Sequence, residues 1–143
     1  MPIGKLVVAS VMTLTSTLGA TAQTLTATVQ DVRNAEGDLI IAVFDDSKPF
    51  RAMDVANAAA LASIPAVKGL ASVTFHNLPL GTYAIAAIHD ENSNSDLDTE
   101  KDVPTEGYAF GGMGQNGLPP EFANAAVAVG TGATADLKLK YWK

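Results

Sequence analysis

Hydrophobic and polar positions alternate cleanly near the start of the chain. Between Thr24 and Val29, Leu25, Ala27 and Val29 fall on one side and Thr24, Thr26 and Thr28 on the other. That period of two predicts a half-buried β-strand. The alternation slips at Gln30-Asp31-Val32, where a β-bulge is expected. Asn34-Ala35-Glu36-Gly37-Asp38 carries turn chemistry. Leu39 to Phe44 is then continuously apolar, the pattern of a strand covered on both faces, and the two strands are expected to form an N-terminal hairpin. The Ala-rich stretch Met53–Ala62 predicts a short helix, and Ile64–Lys68 a strand ending at Gly69. Val73 and Phe75 alternate with Ser72, Thr74 and His76. After a turn at Asn77–Gly81, Tyr83, Ile85 and Ala87 oppose Ala84, Ala86 and Ile88 in a strand running to His89. From Asp90 to Ala123 no periodicity survives, and a loop of that length inside a compact domain is characteristically functional or disordered. Tyr108, Phe110 and Phe122 favour an anchored loop. Ala125–Val129 and Ala133–Trp142 supply the last strands, with Leu137, Leu139 and Tyr141 facing inward. Many short strands separated by turn signals, with little helix, predict an all-β fold, a β-sandwich of about seven strands with one long acidic, Gly-rich loop.

The first 22 residues follow a different logic. Lys5 precedes an apolar run from Leu6 to Leu18 that is diluted by Ser and Thr, and Ala20-Thr21-Ala22 forms an A-x-A cleavage site. This is the pattern of a cleavable signal peptide, and the run is too short and hydroxylated to span a bilayer, which needs about 20 apolar residues. Cleavage after Ala22 would leave 121 residues, enough for one domain covering 23–143, in the periplasm or outside the cell. The chain has no cysteine, so neither a disulfide framework nor a thiolate metal site is available.

Without Lys5 the chain carries 8 basic against 15 acidic residues, a net charge of −7. That argues against nucleic acid and anionic lipid as partners and permits cations. No later segment is long and apolar enough to cross a membrane as a helix. Seven of the acids lie between Asp90 and Glu106. Within that stretch oxygen-bearing side chains take every second position: Asp90, Asn92, Asn94, Asp96 and Asp98. A loop with this spacing brings alternate side chains toward one centre, and Ca²⁺ takes six to eight hard oxygen ligands. The pattern follows the first nine positions of a calcium loop of the D-x-[DN]-x-[DN]-G type. It departs from it with Ser95 at the sixth position and Lys101 at the twelfth, where Glu100, Asp102 or Glu106 would have to substitute. The competing explanation is a solvated loop whose Asn and Asp side chains bond their own backbone. The candidate metal ligands are Asp90, Asn92, Asn94, Asp96, Asp98 and Glu106, with calcium as the candidate ion. No catalytic constellation is recognisable: His76 and His89 are the only histidines, and there is no nucleophile elbow.

Four ordered segments carry a resemblance: Phe75–Ala84 (F-x-x-L-P-x-G-x-Y and the following alanine), His89–Asp98, Pro104–Phe110 and Pro119–Ala125. Together they resemble the bacterial domain of unknown function 2141 family. The resemblance implies an exported Greek-key β-sandwich and no activity. Relative to that family, Ser95 and Asp102 stand where glycine is usual. Three functions are therefore in view. The first is a non-enzymatic binding or structural module with a cation-ordered loop, meeting a protein or glycan partner in the cell envelope. The second is a small-ligand or carbohydrate-binding domain using the Tyr108–Phe122 loop. The third is a hydrolase using loop carboxylates such as Asp90 and Glu106.

Overall fold

The computed structural model describes residues 23–111, 121–130 and 132–142. The expected leader Met1–Ala22 and the Gly/Pro-rich segment 112–120 lie outside the described residues. Strand β1 spans Gln23–Val32 and keeps the predicted alternation: Leu25, Ala27 and Val29 are buried, and the threonines between them are half-buried. It is the central strand of a three-stranded sheet, antiparallel to β4 (Gly69–Leu78) and parallel to β10 (Ala133–Lys138). On the outer face, hydroxyls pair across the strands, Thr26 with Thr74 at 2.9 Å and Thr28 with Ser72 at 3.2 Å. Such cross-strand pairs help fix register. The β1–β4 register shifts between Val29 and Val32, with Asp31 in a left-handed conformation (φ 61°), so the bulge lies where the alternation slips.

The chain then leaves this sheet, which corrects the expectation of an N-terminal hairpin. Strand β2 (Asp38–Phe44) does not pair with β1; its neighbours are β3 (Ala60–Pro65) and β5 (Gly81–Asp90). The reason lies in its composition. A strand apolar on both faces needs cover on both, and the interior of a second sheet supplies it. Leu39, Ile41 and Val43 face the first sheet in a cluster with Leu25, Val29, Ile85 and Leu137. Ala42 and Phe44 face away, into a second cluster with Phe50, Ala84, Ala86, Tyr108 and Phe110. Each buried Val, Leu, Ile or Phe side chain among these contributes about 1.5–3 kcal/mol. Strand β5 sits at the middle of this sheet. One edge pairs with β2; the other is shared by β9 (Ala126–Val129) and β8 (Gly107–Phe110). The fold is thus mostly β, with several sheets, no barrel, and a core built by residues of the two larger sheets.

Two local expectations are revised. Met53–Ala62 is not a helix. The helix, α1, is Ser47–Arg51, capped by Asp46, whose Oδ1 accepts the Lys48 N–H at 2.9 Å. Met53 turns left-handed (φ 52°), a 3₁₀ turn occupies Val55–Asn57, and β3 begins at Ala60. Alanine's helix preference is overridden by the open edge of β2, against which Ala60, Ala62 and Ile64 alternate inward. Strand β3 consequently starts and ends earlier than Ile64–Lys68. The segment after Asp90 is also more ordered than its lack of periodicity indicates. It holds a two-residue-per-strand hairpin, β6 (Thr99–Glu100) with β7 (Val103–Pro104), then β8 and, after segment 112–120, the short helix α2 (Phe122–Ala125).

Candidate functional site

The acidic loop begins where β5 ends. Asp90 is opposite Asp38 of β2, and the turn before β2 presses against it. Gly37 adopts φ +68°, and a Cβ there would lie 2.0 Å from the Asp90 carbonyl oxygen, so the close approach requires glycine. The Asp90 side chain is 1% exposed. Its two carboxylate oxygens accept the backbone N–H groups of Asn94 (3.1 Å) and Ser95 (2.7 Å). Ser93 and Ser95 are both left-handed, at φ 55° and 67°. The tight turn expected of glycine at the sixth position therefore forms with serine.

Asn92 and Asn94 each act twice. Their side-chain oxygens accept the N–H groups of Asn94 (3.2 Å) and Asp96 (3.0 Å), closing two successive Asx turns. Their amide N–H₂ groups both donate to the carboxylate of Asp98, the Asn94 bond measuring 2.7 Å. Hydrogen bonds from Asn94 and Asn92 hold the Asp98 carboxyl below its ordinary value. The structure thus brings Asn92, Asn94 and Asp98 together on the solvent side, and leaves Asp96 exposed beside them.

Glu106 closes the loop from beneath. It is 4% exposed, and its carboxylate collects the N–H groups of Glu91 (2.7 Å) and Asn92 (3.4 Å) on Oε2 and of Asp98 (3.1 Å) on Oε1. Burial pushes its carboxyl above the ordinary value, and the neighbouring Asp98 charge adds to the rise, against the lowering effect of the backbone bonds. Between Asp98 and Glu106 the β6–β7 hairpin turns through Lys101 and Asp102, both left-handed (φ 53° and 65°). That is the type I′ pattern, which favours Asn-Gly. Thr105 ties the hairpin back, donating its N–H (2.9 Å) and its hydroxyl (3.2 Å) to the Asp98 carbonyl.

A second polar network braces the same loop from the other side, and the sequence reading did not assemble it. His89 is fully buried. Its Nε2–H donates to the Glu36 carbonyl (2.8 Å), so Nδ1 accepts the Tyr141 hydroxyl (2.8 Å), which in turn accepts the Arg33 N–H (3.1 Å). The Arg33 guanidinium lies 4.4 Å from the Tyr141 ring centre and forks onto the Glu91 carboxylate at 3.0 and 2.6 Å. Asn34 adds a 2.7 Å bond to the same carboxylate. The Arg33 hydrogen bond holds the Glu91 carboxyl below its ordinary value. Its members come from residues 33–36, 89–91 and 141, far apart in sequence, and only the lone histidine at the end of an apolar strand signalled it.

The aromatic residues of the long loop are used internally. Tyr108 is 5% exposed and its hydroxyl accepts the Trp142 indole N–H at 2.7 Å. Phe122 and Phe110 pack edge-on against Phe50 at 6.0 and 5.7 Å. Tyr108 accordingly offers no open ring face to a sugar, and Asp90 and Glu106 each spend both oxygens on backbone donors. Among the described residues, no group of three or more His, Asp or Glu is gathered as a metal site, and no helix is long and apolar enough to cross a membrane. In comparison with known proteins, residues 27–136 match the DUF2141 family, described as an uncharacterized protein conserved in bacteria. No curated protein and no solved structure matches the chain.

Proposed function

The chain belongs to the DUF2141 family of bacterial proteins, and from that premise we propose that it is an exported, non-enzymatic binding or structural module whose acidic loop is ordered by a calcium-type cation. One observation carries the cation part. Buried Asp90 and Glu106 fix the loop backbone, while Asn92, Asn94 and Asp98 converge with their polar groups on the solvent side. A hard cation would take the place of the two amide N–H₂ groups against Asp98, with the amide oxygens and the neighbouring Asp96 as further ligands. The non-enzymatic reading is supported by the commitments of the buried groups: the Asp90 and Glu106 carboxylates and both His89 nitrogens already have partners. Export is supported by Lys5, the Leu6–Leu18 run and the A-x-A ending at Ala22.

For the architecture we favour a Greek-key, immunoglobulin- or transthyretin-like sandwich. Two sheets share one core, and the Tyr83 hydroxyl, near the start of β5, donates to the Pro79 carbonyl at 2.6 Å. That bond matches the tyrosine corner of such folds.

The test is a calorimetric titration of calcium-stripped protein, paired with thermal melts. Binding at a dissociation constant of about 1 mM, the range of extracellular modules, would add about 1.4 kcal/mol at roughly 10 mM Ca²⁺. Both the heat and the added stability should vanish in Asp98→Ala. No heat and no stabilisation at millimolar Ca²⁺ would remove the cation from the proposal.

A further inference from the structure

We infer that the mature chain begins at Gln23 and that this residue closes into a pyroglutamate lactam. The inference rests on the export reading above and adds a covalent modification to it. The A-x-A sequence places the scissile bond after Ala22, so cleavage gives glutamine a free α-amine. The chemistry then needs no other reactant. The unprotonated α-amino nitrogen attacks the side-chain carbonyl carbon Cδ of the same residue. An N–Cδ bond forms, the Cδ–Nε2 bond breaks, and Nε2 leaves as ammonia, taking a proton from the attacking amine. The reaction is intramolecular and forms a five-membered ring, which favours it over attack by any amine in solution. An α-amine has a pKa of about 7.7–8.0, so the nucleophilic form is present at neutral pH.

The structure gives the modification a consequence. Gln23 opens β1 and is paired with Leu78, which is 6% exposed. Strand β1 is the central strand of its sheet, and the first core side chain, Leu25, follows two residues later with no exposed area. Gln23 itself is half-buried, so an ammonium at this strand end would place a charge close to that apolar surface. The lactam is neutral, so the strand end carries no charge. It also leaves no amine for an aminopeptidase, which would otherwise need to remove only two residues to reach Leu25.

The experiment is intact-mass and peptide mapping of the full chain expressed with its leader and recovered from outside the cytoplasm, then incubated for days at pH 7. The expected product starts at residue 23, is lighter than open glutamine by one ammonia, resists Edman degradation, and resists aminopeptidase. The Gln23→Ala variant should be cleaved at the same bond but remain sequenceable and be trimmed. A product starting at Gln23 with an open amine after incubation overturns the inference while leaving export intact. So does cleavage at another bond. A product that retains the leader overturns the export reading itself.

Discussion

Replacing Glu106 with alanine removes the acceptor of three backbone N–H groups, those of Glu91, Asn92 and Asp98. The Asn92 contact is long at 3.4 Å, so two full bonds are at stake. Each buried donor left without an acceptor costs about 1–3 kcal/mol, and the exposed rim of the loop lets water reach one of them. The expected loss is about 2–4 kcal/mol, a fall in melting temperature of roughly 3–5 °C for each kcal/mol in a chain of this size. Glutamine keeps one oxygen but turns an N–H₂ toward another N–H, for a loss of about 1–2 kcal/mol. The pH dependence separates the two substitutions from a generic packing defect. Burial holds the Glu106 carboxyl above its ordinary value, so the folded state binds this proton more tightly than the unfolded one. Its contribution is therefore fully present below the ordinary carboxylate range and declines as pH rises through the raised value. The stability gap between wild type and Glu106→Gln should be wider near pH 4 than at pH 7. Urea melts at both pH values, with amide hydrogen exchange at Glu91 and Asp98, measure this. A Glu106→Ala protein within about 0.5 kcal/mol of wild type, with unchanged exchange at those two amides, would refute the bracing role.

Three further outcomes follow from the same geometry. Ser95→Gly and Asp102→Gly each relieve a left-handed non-glycine residue, a conformation costing about 1–2 kcal/mol. After the greater unfolded-state freedom of glycine is subtracted, each should raise stability by about 0.5–1 kcal/mol in chemical denaturation; a loss at either site would show that the serine or aspartate side chain is needed there. Glu91→Gln breaks the fork with Arg33, whose hydrogen bond holds the Glu91 carboxyl below its ordinary value. That stability is present above the ordinary carboxylate range and lost as pH falls through the lowered value, so the variant should be weaker at pH 7 by about 1–2 kcal/mol and converge with wild type in acid; a pH-independent gap would count against the ion pair. Gly107→Ala places a Cβ 2.4 Å from the Tyr141 ring, which is held by His89 and Arg33 and cannot swing aside freely. Its melts should show a loss of about 1–3 kcal/mol, and that loss should largely disappear when Gly107→Ala is introduced into a Tyr141→Ala background and compared with that single variant.

What the sequence made legible follows the range over which each signal acts. The alternation in β1, the two-faced apolar runs of β2 and β5 and the bulge before Val32 are local patterns, and each is found where the pattern puts it. The pairing of β2 with β5 instead of β1 is a contact across some 45 residues, and no local period encodes it. Strand β8 is four residues long, too short for a period of two to stand out from Gly-Tyr-Ala-Phe.

The acidic loop shows a different kind of ambiguity, one of chemistry. Oxygen atoms at every second position suit a hard cation, and they suit backbone N–H groups equally well, because both are electron-poor partners presented at the centre of a turn. The spacing therefore located Asp90, Asn92, Asn94, Asp96, Asp98 and Glu106 as one constellation without separating their roles. Burial separates them. A carboxylate withdrawn from water must be neutralised or hydrogen-bonded, and Asp90 and Glu106, at 1% and 4% exposure, accept backbone N–H groups on both oxygens. Asn92, Asn94 and Asp98 hold one another on the solvent side. Any ligand of this loop is expected to act on those three side chains, while substitutions at the two buried acids should register first as loss of loop order.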